Sequence, residues 1–172
     1  MNFNKSVTLV FSSYRSDNLL KKVIKKLPKN YKILVIENSL NKKIKNILEK
    51  KFKNVEVIIP KENLGLARSY NLGIKKAKTK YVFLNNPDLE IKNESIKKLI
   101  KCAENLKNFG IISPTYKNEK IFKNYEILKY RKKNNSPVFK KFGVMDVDII
   151  DNSFIVKRKS IQKFLFDEKY FL

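Results

Sequence analysis

Four short apolar runs, at residues 7–11, 33–36, 55–59 and 81–84, are separated by stretches in which apolar residues recur at helical spacing. The runs at 7–11 and 33–36 are continuous rather than alternating, the pattern of strands buried on both faces by flanking helices. Between the first two, Ser16 stands where a helix cap is expected, Leu19, Leu20, Val23, Ile24 and Leu27 form a helical stripe, and Pro28 and Asn30 end it. Ile44, Ile47, Leu48 and Phe52 mark a second helix, residues 64–77 a third, and the stripe Ile96, Leu99, Ile100, Ala103 and Leu106 a fourth, followed by a strand at 110–112. Strand and helix alternating over the first 115 or so residues imply right-handed βαβ units and a mostly parallel sheet with helices on both faces. Ligands of such sheets bind beyond the carboxyl ends of the strands. Attention therefore falls on residues 12–15, 37–41 and 85–90, the polar segments leaving the first, second and fourth strands.

Beyond Pro114 the pattern loosens. Residues 117–141 are polar and basic, dotted with Phe122, Tyr125, Tyr130 and Phe139, and read as a long excursion over the sheet. A strand at 147–156 and a short helix at 160–164 restore order. There is no internal repeat and no Gly/Ser linker, and 172 residues suit one domain.

Composition removes whole classes of chemistry. With no histidine, the chain has no imidazole base and no Ser-His or Cys-His nucleophile. Its single cysteine, Cys102, lies in a helical stripe, which excludes a disulfide framework and a cysteine metal site. Acid–base work falls to carboxylates. The net charge of +23 suggests nucleic acid, yet only Arg15, Arg68, Arg131 and Arg158 among the 39 basic residues are arginines. The lysines are dispersed through the polar gaps of helices (Lys21, Lys22, Lys25, Lys26; Lys97, Lys98, Lys101), which reads as solvated faces and the bias of an AT-rich genome rather than one dedicated groove. The field still attracts anionic ligands and supports peripheral contact with an anionic membrane. The run at 7–11 is too short for a signal-peptide core or a membrane span, so a cytoplasmic protein is expected.

Asn86-Pro87-Asp88 directly follows the fourth apolar run. Pro87 blocks continuation of a strand and biases Asn86 toward extended backbone, so the turn projects side chains from the strand's end. An aspartate there offers a hard oxygen ligand to Mg²⁺ or Mn²⁺ on a diphosphate, with Asn86 as a neutral second donor; a plain turn is the competing reading of so short a motif. Upstream, Gly65 permits a tight turn into a helix whose N-terminal amides favour an anion, Arg68 adds positive charge, and Asn71 offers both donor and acceptor.

Taken in order, Asn63-Leu64-Gly65, Arg68, Asn71-Leu72-Gly73-Ile74, the strand at 80–84 and Asn86-Pro87-Asp88 resemble glycosyltransferase family 2, particularly its rhamnosyltransferase-like members. The resemblance runs along essentially the whole chain. Ser12-Ser13-Tyr14-Arg15 is similar to the family's Pro-Thr-Tyr-Asn, which makes Ser12 and Tyr14 the matching contact positions of a nucleotide pocket; Ser12 and Arg15 replace the family's Pro and Asn. Glu37-Asn38-Ser39 resembles its Asp-Asn-x-Ser, whose acidic or amide group contacts base or ribose; Glu37 is one methylene longer, and Leu40 stands where serine is usual. Asp88 keeps the metal contact of the family's Asp-x-Asp. Residues 147–158 and Phe166-Asp167-Glu168 match later family segments.

The resemblance implies a GT-A-like, Rossmann-like α/β domain, residues 1–115 being the nucleotide-sugar-binding part and 116–172 the start of an acceptor-side part. It implies an inverting, metal-assisted transfer from a UDP- or dTDP-linked sugar to a glycan or lipid-linked acceptor, in cell-surface polysaccharide synthesis. The expected donor-site residues are Ser12, Tyr14, Glu37, Asn38, Asn63, Gly65, Arg68, Asn71 and Asn86, with Asp88 on Mg²⁺ or Mn²⁺. The family's Glu-Asp base lies beyond Leu172, so C-terminal truncation is expected, with Asp151, and Asp148 beside it, as weak acceptor-side candidates. Two rivals follow: a truncated, inactive nucleotide-sugar-binding protein, and a basic nucleic-acid-binding domain using residues 117–141.

Overall fold

The computed structural model describes residues 3–106, 109–114, 139–140, 144–145, 150 and 153–169. After a single turn, α1 (Phe3–Ser6), the chain runs β1 (Val7–Ser13), α2 (Asp17–Lys26), β2 (Lys32–Glu37), α3 (Lys42–Lys51), β3 (Val55–Ile58), α4 (Gly65–Lys76), β4 (Tyr81–Asn85), α5 (Asn93–Asn105) and β5 (Ile111–Ile112). A short ladder of β6 (Phe139–Lys140) and β7 (Val144–Met145) precedes β8 (Phe154–Lys157) and α6 (Arg158–Ile161). The six-stranded sheet has the order β3-β2-β1-β4-β8-β5. β1 pairs in parallel with β2 and β4, and β2 with β3, as the alternation predicts. β8 runs antiparallel to both β4 and β5, so the sheet is mixed, with one strand reversed.

Period-two alternation divides each inner strand between two cores. Val7, Leu9 and Phe11 of β1 and Ile33 and Val35 of β2 pack with Leu20, Val23 and Ile24 of α2, Ile44 and Leu48 of α3, and Ile96, Leu99 and Ile100 of α5. On the other face Val10, Leu34, Ile36, Val82 and Leu84 pack with Tyr70 and Ile74 of α4 and with Phe154 of β8. Helix α4 rides close to the sheet because Gly73 has no side chain: a Cβ there would collide with Val10. The continuous apolar runs thus reflect two cores sharing one set of strands.

Local details differ from the sequence reading. Ser16 occupies the N-cap position of α2 but makes no capping bond; its hydroxyl donates to the Tyr14 carbonyl at 2.8 Å. The working cap is Asn41, whose Oδ1 accepts from the backbone N–H groups of Lys43 and Ile44 at the start of α3. Of the strand expected at 147–156, the described residues show Phe154–Lys157, most of 147–152 lying outside them, and the following helix begins at Arg158, two residues before the serine taken as its start. Asp148 and Asp151 lie outside the described residues, as does most of 117–141.

Candidate functional site

β1 sits between β2 and β4, with Ser13 in register with Glu37 and Phe11 with Asn85. At about 4.8 Å per strand spacing, the exits of β2 and β4 lie about 10 Å apart, flanking residues 12–14. The topology therefore gathers three of the polar segments expected to matter onto one edge of the sheet.

Asn38 is the hub on the β2 side. Its N–H donates to the Ser13 carbonyl at 2.8 Å, its Nδ2 donates to Ser12 Oγ at 3.2 Å and Ser69 Oγ at 2.8 Å, and its Oδ1 accepts from the Leu64 N–H at 3.2 Å. One buried amide thus joins β1, α4 and the loop before α4. Ser69 in turn donates to the Gly65 carbonyl at 2.5 Å. Glu37 is fully buried; its Oε1 accepts from the Ser39 N–H at 2.8 Å and from the Ser39 hydroxyl, while Oε2 has no partner among the described residues. Ser13 Oγ, on the register partner of Glu37, is likewise buried without a partner among them. Ser13 and Glu37 thus place two buried polar atoms without a partner among the described residues on adjacent strands at the carboxyl edge of the sheet.

Tyr14 is half exposed and carries the Arg15 guanidinium over its ring at 5.3 Å. Arg15 and Leu40 both adopt positive φ, 50° and 61°, at the exits of β1 and β2. Non-glycine side chains bear a cost in that region, so both turns hold their residues at some strain.

Before α4, Asn63 Oδ1 accepts from the Gly65 N–H at 3.0 Å, and Gly65 takes φ 66°, the conformation the tight turn requires. Arg68 folds back on this loop: Nε donates to the Leu64 carbonyl at 3.0 Å, one terminal nitrogen to Glu62 at 2.8 Å and the other to the Asn63 carbonyl at 3.2 Å. Its fork braces the turn as well as supplying charge. Asn71 is buried and grips a distant segment, donating from Nδ2 to the Phe166 carbonyl and to Glu168 Oε1, both at 2.9 Å, and accepting the Phe166 N–H at 3.0 Å. Asn71, Arg68, Leu64, Lys61, Lys75 and Glu168 border an open groove of about 610 Å³ along α4, which none of residues 12–14, 37–38 or 86–88 lines.

On the β4 side Asn85 knits the turn. Its Nδ2 donates to the carbonyls of Asn86 and Leu89, each at 2.9 Å, its Oδ1 accepts from the Ser153 hydroxyl, and the Leu89 N–H returns to the Asn86 carbonyl at 3.2 Å. Asn86 Oδ1 accepts from the Tyr70 hydroxyl at 2.8 Å. Pro87 is buried, which leaves Asp88 on the exposed crest of the turn, with no hydrogen bond or ion pair among the described residues. Glu90, farther along, is turned away: Lys26 donates to it at 2.6 Å, and that hydrogen bond holds its carboxyl below the usual carboxylate range. No group of three acidic or thiol ligands occurs among the described residues. A free aspartate with one amide oxygen nearby suits Mg²⁺ or Mn²⁺, which take one or two protein carboxylates and complete their shell with substrate phosphates and water.

Residues 12–165 match the model of a family described as glycosyl transferase family 2. The chain belongs to that family. Solved structures share the fold of this family 2 chain. The crystal structure of S. aureus TarS 1-349 is 14% identical, with TM-score 0.64 over 97% of this chain and 52% of that one. The mannosyltransferase PcManGT from Pyrobaculum calidifontis, in complex with GDP-Man and Mn²⁺, is 15% identical, with TM-score 0.67 over 95% of this chain and 48% of that one. GalNAc-T7 with UDP, GalNAc and Mn²⁺ is 15% identical, with TM-score 0.62 over 95% and 37%. The fold is therefore GT-A-like, Rossmann-like α/β, and the chain spans about half the length of the first of these relatives. None of the curated proteins matches it in sequence.

Sequence reasoning gave no individual role to Ser13 and Asn85, although both lie in the segments it pointed to, and passed over Ser69, Tyr70 and Ser153. Ser69 sits one turn beyond Gly65, a spacing that suits back-bonding within a helix and carries no signal of its own. Asn85 reads as the first residue of the polar segment leaving the fourth strand, and its part in tying the turn shows only in its contacts.

Proposed function

We propose that the carboxyl edge formed by β1, β2 and β4 binds a nucleoside-diphosphate sugar, and that the protein takes part in transfer of the sugar to an acceptor hydroxyl. The observation that carries this reading is the meeting of Ser12, Glu37-Asn38 and Asn86-Asp88 on one edge, with a buried Glu37 oxygen lacking a partner among the described residues. Uracil and thymine each present a ring N–H that complements such an acceptor, which favours UDP- or dTDP-linked donors. Ser12 and Tyr14 flank the nucleoside, and Asn63, Gly65, Arg68 and Asn71 shape the loop and helix beside the diphosphate. Asp88, with Asn86, would hold Mg²⁺ or Mn²⁺, which when bound neutralises charge on the leaving nucleotide. TarS has been solved with UDP and with UDP-GlcNAc, PcManGT with GDP-Man and Mn²⁺, and these ligands support a nucleotide-sugar and a divalent ion for this chain too.

Displacement with inversion at the anomeric carbon, a rhamnosyltransferase-like donor preference, and a glycan or lipid-linked acceptor in cell-surface polysaccharide synthesis complete the reading. A carboxylate that takes the acceptor proton fits both the family resemblance and the absence of histidine from these 172 residues. The net charge of +23 supports work at an anionic membrane surface, facing the cytoplasm. Among the described residues no helix is long and apolar enough to cross a membrane.

Calorimetry tests the donor site. UDP or dTDP with Mn²⁺ gives heat, and Asp88→Ala weakens binding about tenfold, the loss of roughly one charged contact. Absence of heat with every nucleoside diphosphate tried would remove the proposal.

A further inference from the structure

We infer that Tyr70 is a positioning residue for the Asn86 side chain, and that through Phe166 it makes the metal-side turn depend on docking of the segment after α6. The inference rests on the donor site proposed above and adds to it a link between two ends of the chain. The turn is held in two separate ways. Its backbone is fixed by Asn85, which donates to the Asn86 and Leu89 carbonyls. The Asn86 side chain is engaged instead by the Tyr70 hydroxyl, 2.8 Å from Oδ1. An amide rotor beside a charged ligand has broad, roughly two-fold freedom about its last torsion, and a donor on the oxygen selects one orientation. With one lone pair of Oδ1 on Tyr70, the second lone pair and the Nδ2 donors are set in direction.

Tyr70 is itself placed by the later part of the chain. Its ring meets Phe154 edge-on, with centroids 6.0 Å apart and planes at 88°, and lies tilted against Phe166 at 6.2 Å; Phe154 and Phe166 also meet at 6.0 Å. Phe166 cannot drift, because the neighbouring helix residue, Asn71, binds both its N–H and its C=O. Consecutive residues of α4 thus hold the Asn86 turn and the 166–168 segment, and their spacing on one helix fixes how far apart the two can be. Detaching Phe166 removes one wall of the slot that holds the Tyr70 ring.

Tyr70→Phe removes the hydroxyl and keeps the ring, so the core remains packed. In a ¹⁵N-labelled sample the Asn86 side-chain amide pair, identified by its loss in Asn86→Ala, shifts in Tyr70→Phe and also in Phe166→Leu. Calorimetry shows Mn²⁺-dependent UDP binding weakened about fivefold by Tyr70→Phe, the equivalent of one hydrogen bond, with metal-free UDP binding within about twofold of the parent. In the Asn86→Ala background Tyr70→Phe costs nothing further. An unmoved Asn86 amide pair overturns the inference, as does a loss equal with and without Mn²⁺ or additive with Asn86→Ala. If the parent protein gives no heat with UDP, the donor site itself fails, and the amide pair alone decides the positioning role.

Discussion

Replacing Asn71 should detach the 166–168 segment more than it weakens the core. The buried amide makes three hydrogen bonds to that segment, at 2.9, 2.9 and 3.0 Å, one of them to the Glu168 carboxylate. At about 1 kcal/mol net for a neutral bond and about 1.5 for one to a charge, Asn71→Ala forfeits about 3.5 kcal/mol while the segment stays docked. The segment can instead peel away and hydrate its backbone, which caps the loss at its docking free energy, so about 2–3 kcal/mol is expected. Asn71→Asp separates the contributions. The introduced carboxylate still accepts the Phe166 N–H, but it turns an acceptor toward the Phe166 carbonyl and a like charge toward Glu168. Burial and Glu168 both raise its pKa above the unfolded value. A raised carboxyl pKa means that the folded state binds a proton more tightly, so stability is gained as pH falls through that pKa. At pH 7 Asn71→Asp should therefore be less stable than Asn71→Ala, and near pH 4 the order should reverse. Urea unfolding at the two pH values gives the order, and hydrogen exchange gives the locus: the Phe166 amide loses protection in both variants while Val10 and Leu34 do not. Unchanged protection at Phe166, or a pH-independent deficit in Asn71→Asp, would refute the role assigned to Asn71.

Gly73→Ala adds a methyl group that collides with Val10, so α4 must move from β1; the overpacking cost of about 1–3 kcal/mol exceeds the gain in helix propensity of just under about 1, and denaturant unfolding should show net destabilisation. Leu40→Gly relieves a side chain held at φ 61° while giving up a half-exposed leucine, and thermal unfolding should show it stabilised by about 0.5–1 kcal/mol. Lys26 donates to Glu90 and lowers its pKa, so the stability from this pair is present above the ordinary carboxylate pKa and lost as pH falls through the lowered one; Glu90→Gln should depress stability slightly at pH 7 and match the parent in strong acid, read from unfolding midpoints across pH.

The sheet was legible because burial on both faces writes itself into consecutive residues: 33–36 can be apolar throughout only if helices cover both sides, and β2 is buried from Ile33 to Glu37. The carboxyl-edge rule pointed to residues 12–15, 37–41 and 85–90 without any knowledge of contacts, and β1, β2 and β4 do end there side by side. What stayed hidden depends on partners distant in sequence. Ser16 reads as a cap from sequence, and only the fold shows that it turns to Tyr14 while Asn41, not singled out there, reaches two N–H groups at the start of α3. The reversed direction of β8 has no local signature either, since Phe154–Lys157 is as apolar as a parallel strand.

Arg68 and Asn71 show the same limit within the site and lead to its physical organisation. From their chemistry alone both read as ligand contacts, an arginine for phosphate and an amide for donor or acceptor. In the fold each is first a brace: Arg68 closes the loop carrying Asn63 and Gly65, and Asn71 carries the segment from Phe166. A polar side chain held this firmly has already surrendered the rotamer freedom that ligand binding would otherwise cost. Preorganisation of this kind is concentrated around α4, where Ser69, Tyr70, Asn71 and Gly73 each make or permit a distinct tertiary contact and Gly65 and Arg68 fix the loop before it. Asp88 is the counterpart, exposed and without a partner among the described residues, on a turn whose backbone is tied by Asn85. A rigid frame around one free carboxylate is the arrangement expected where charge is to be met by a ligand rather than by the protein itself.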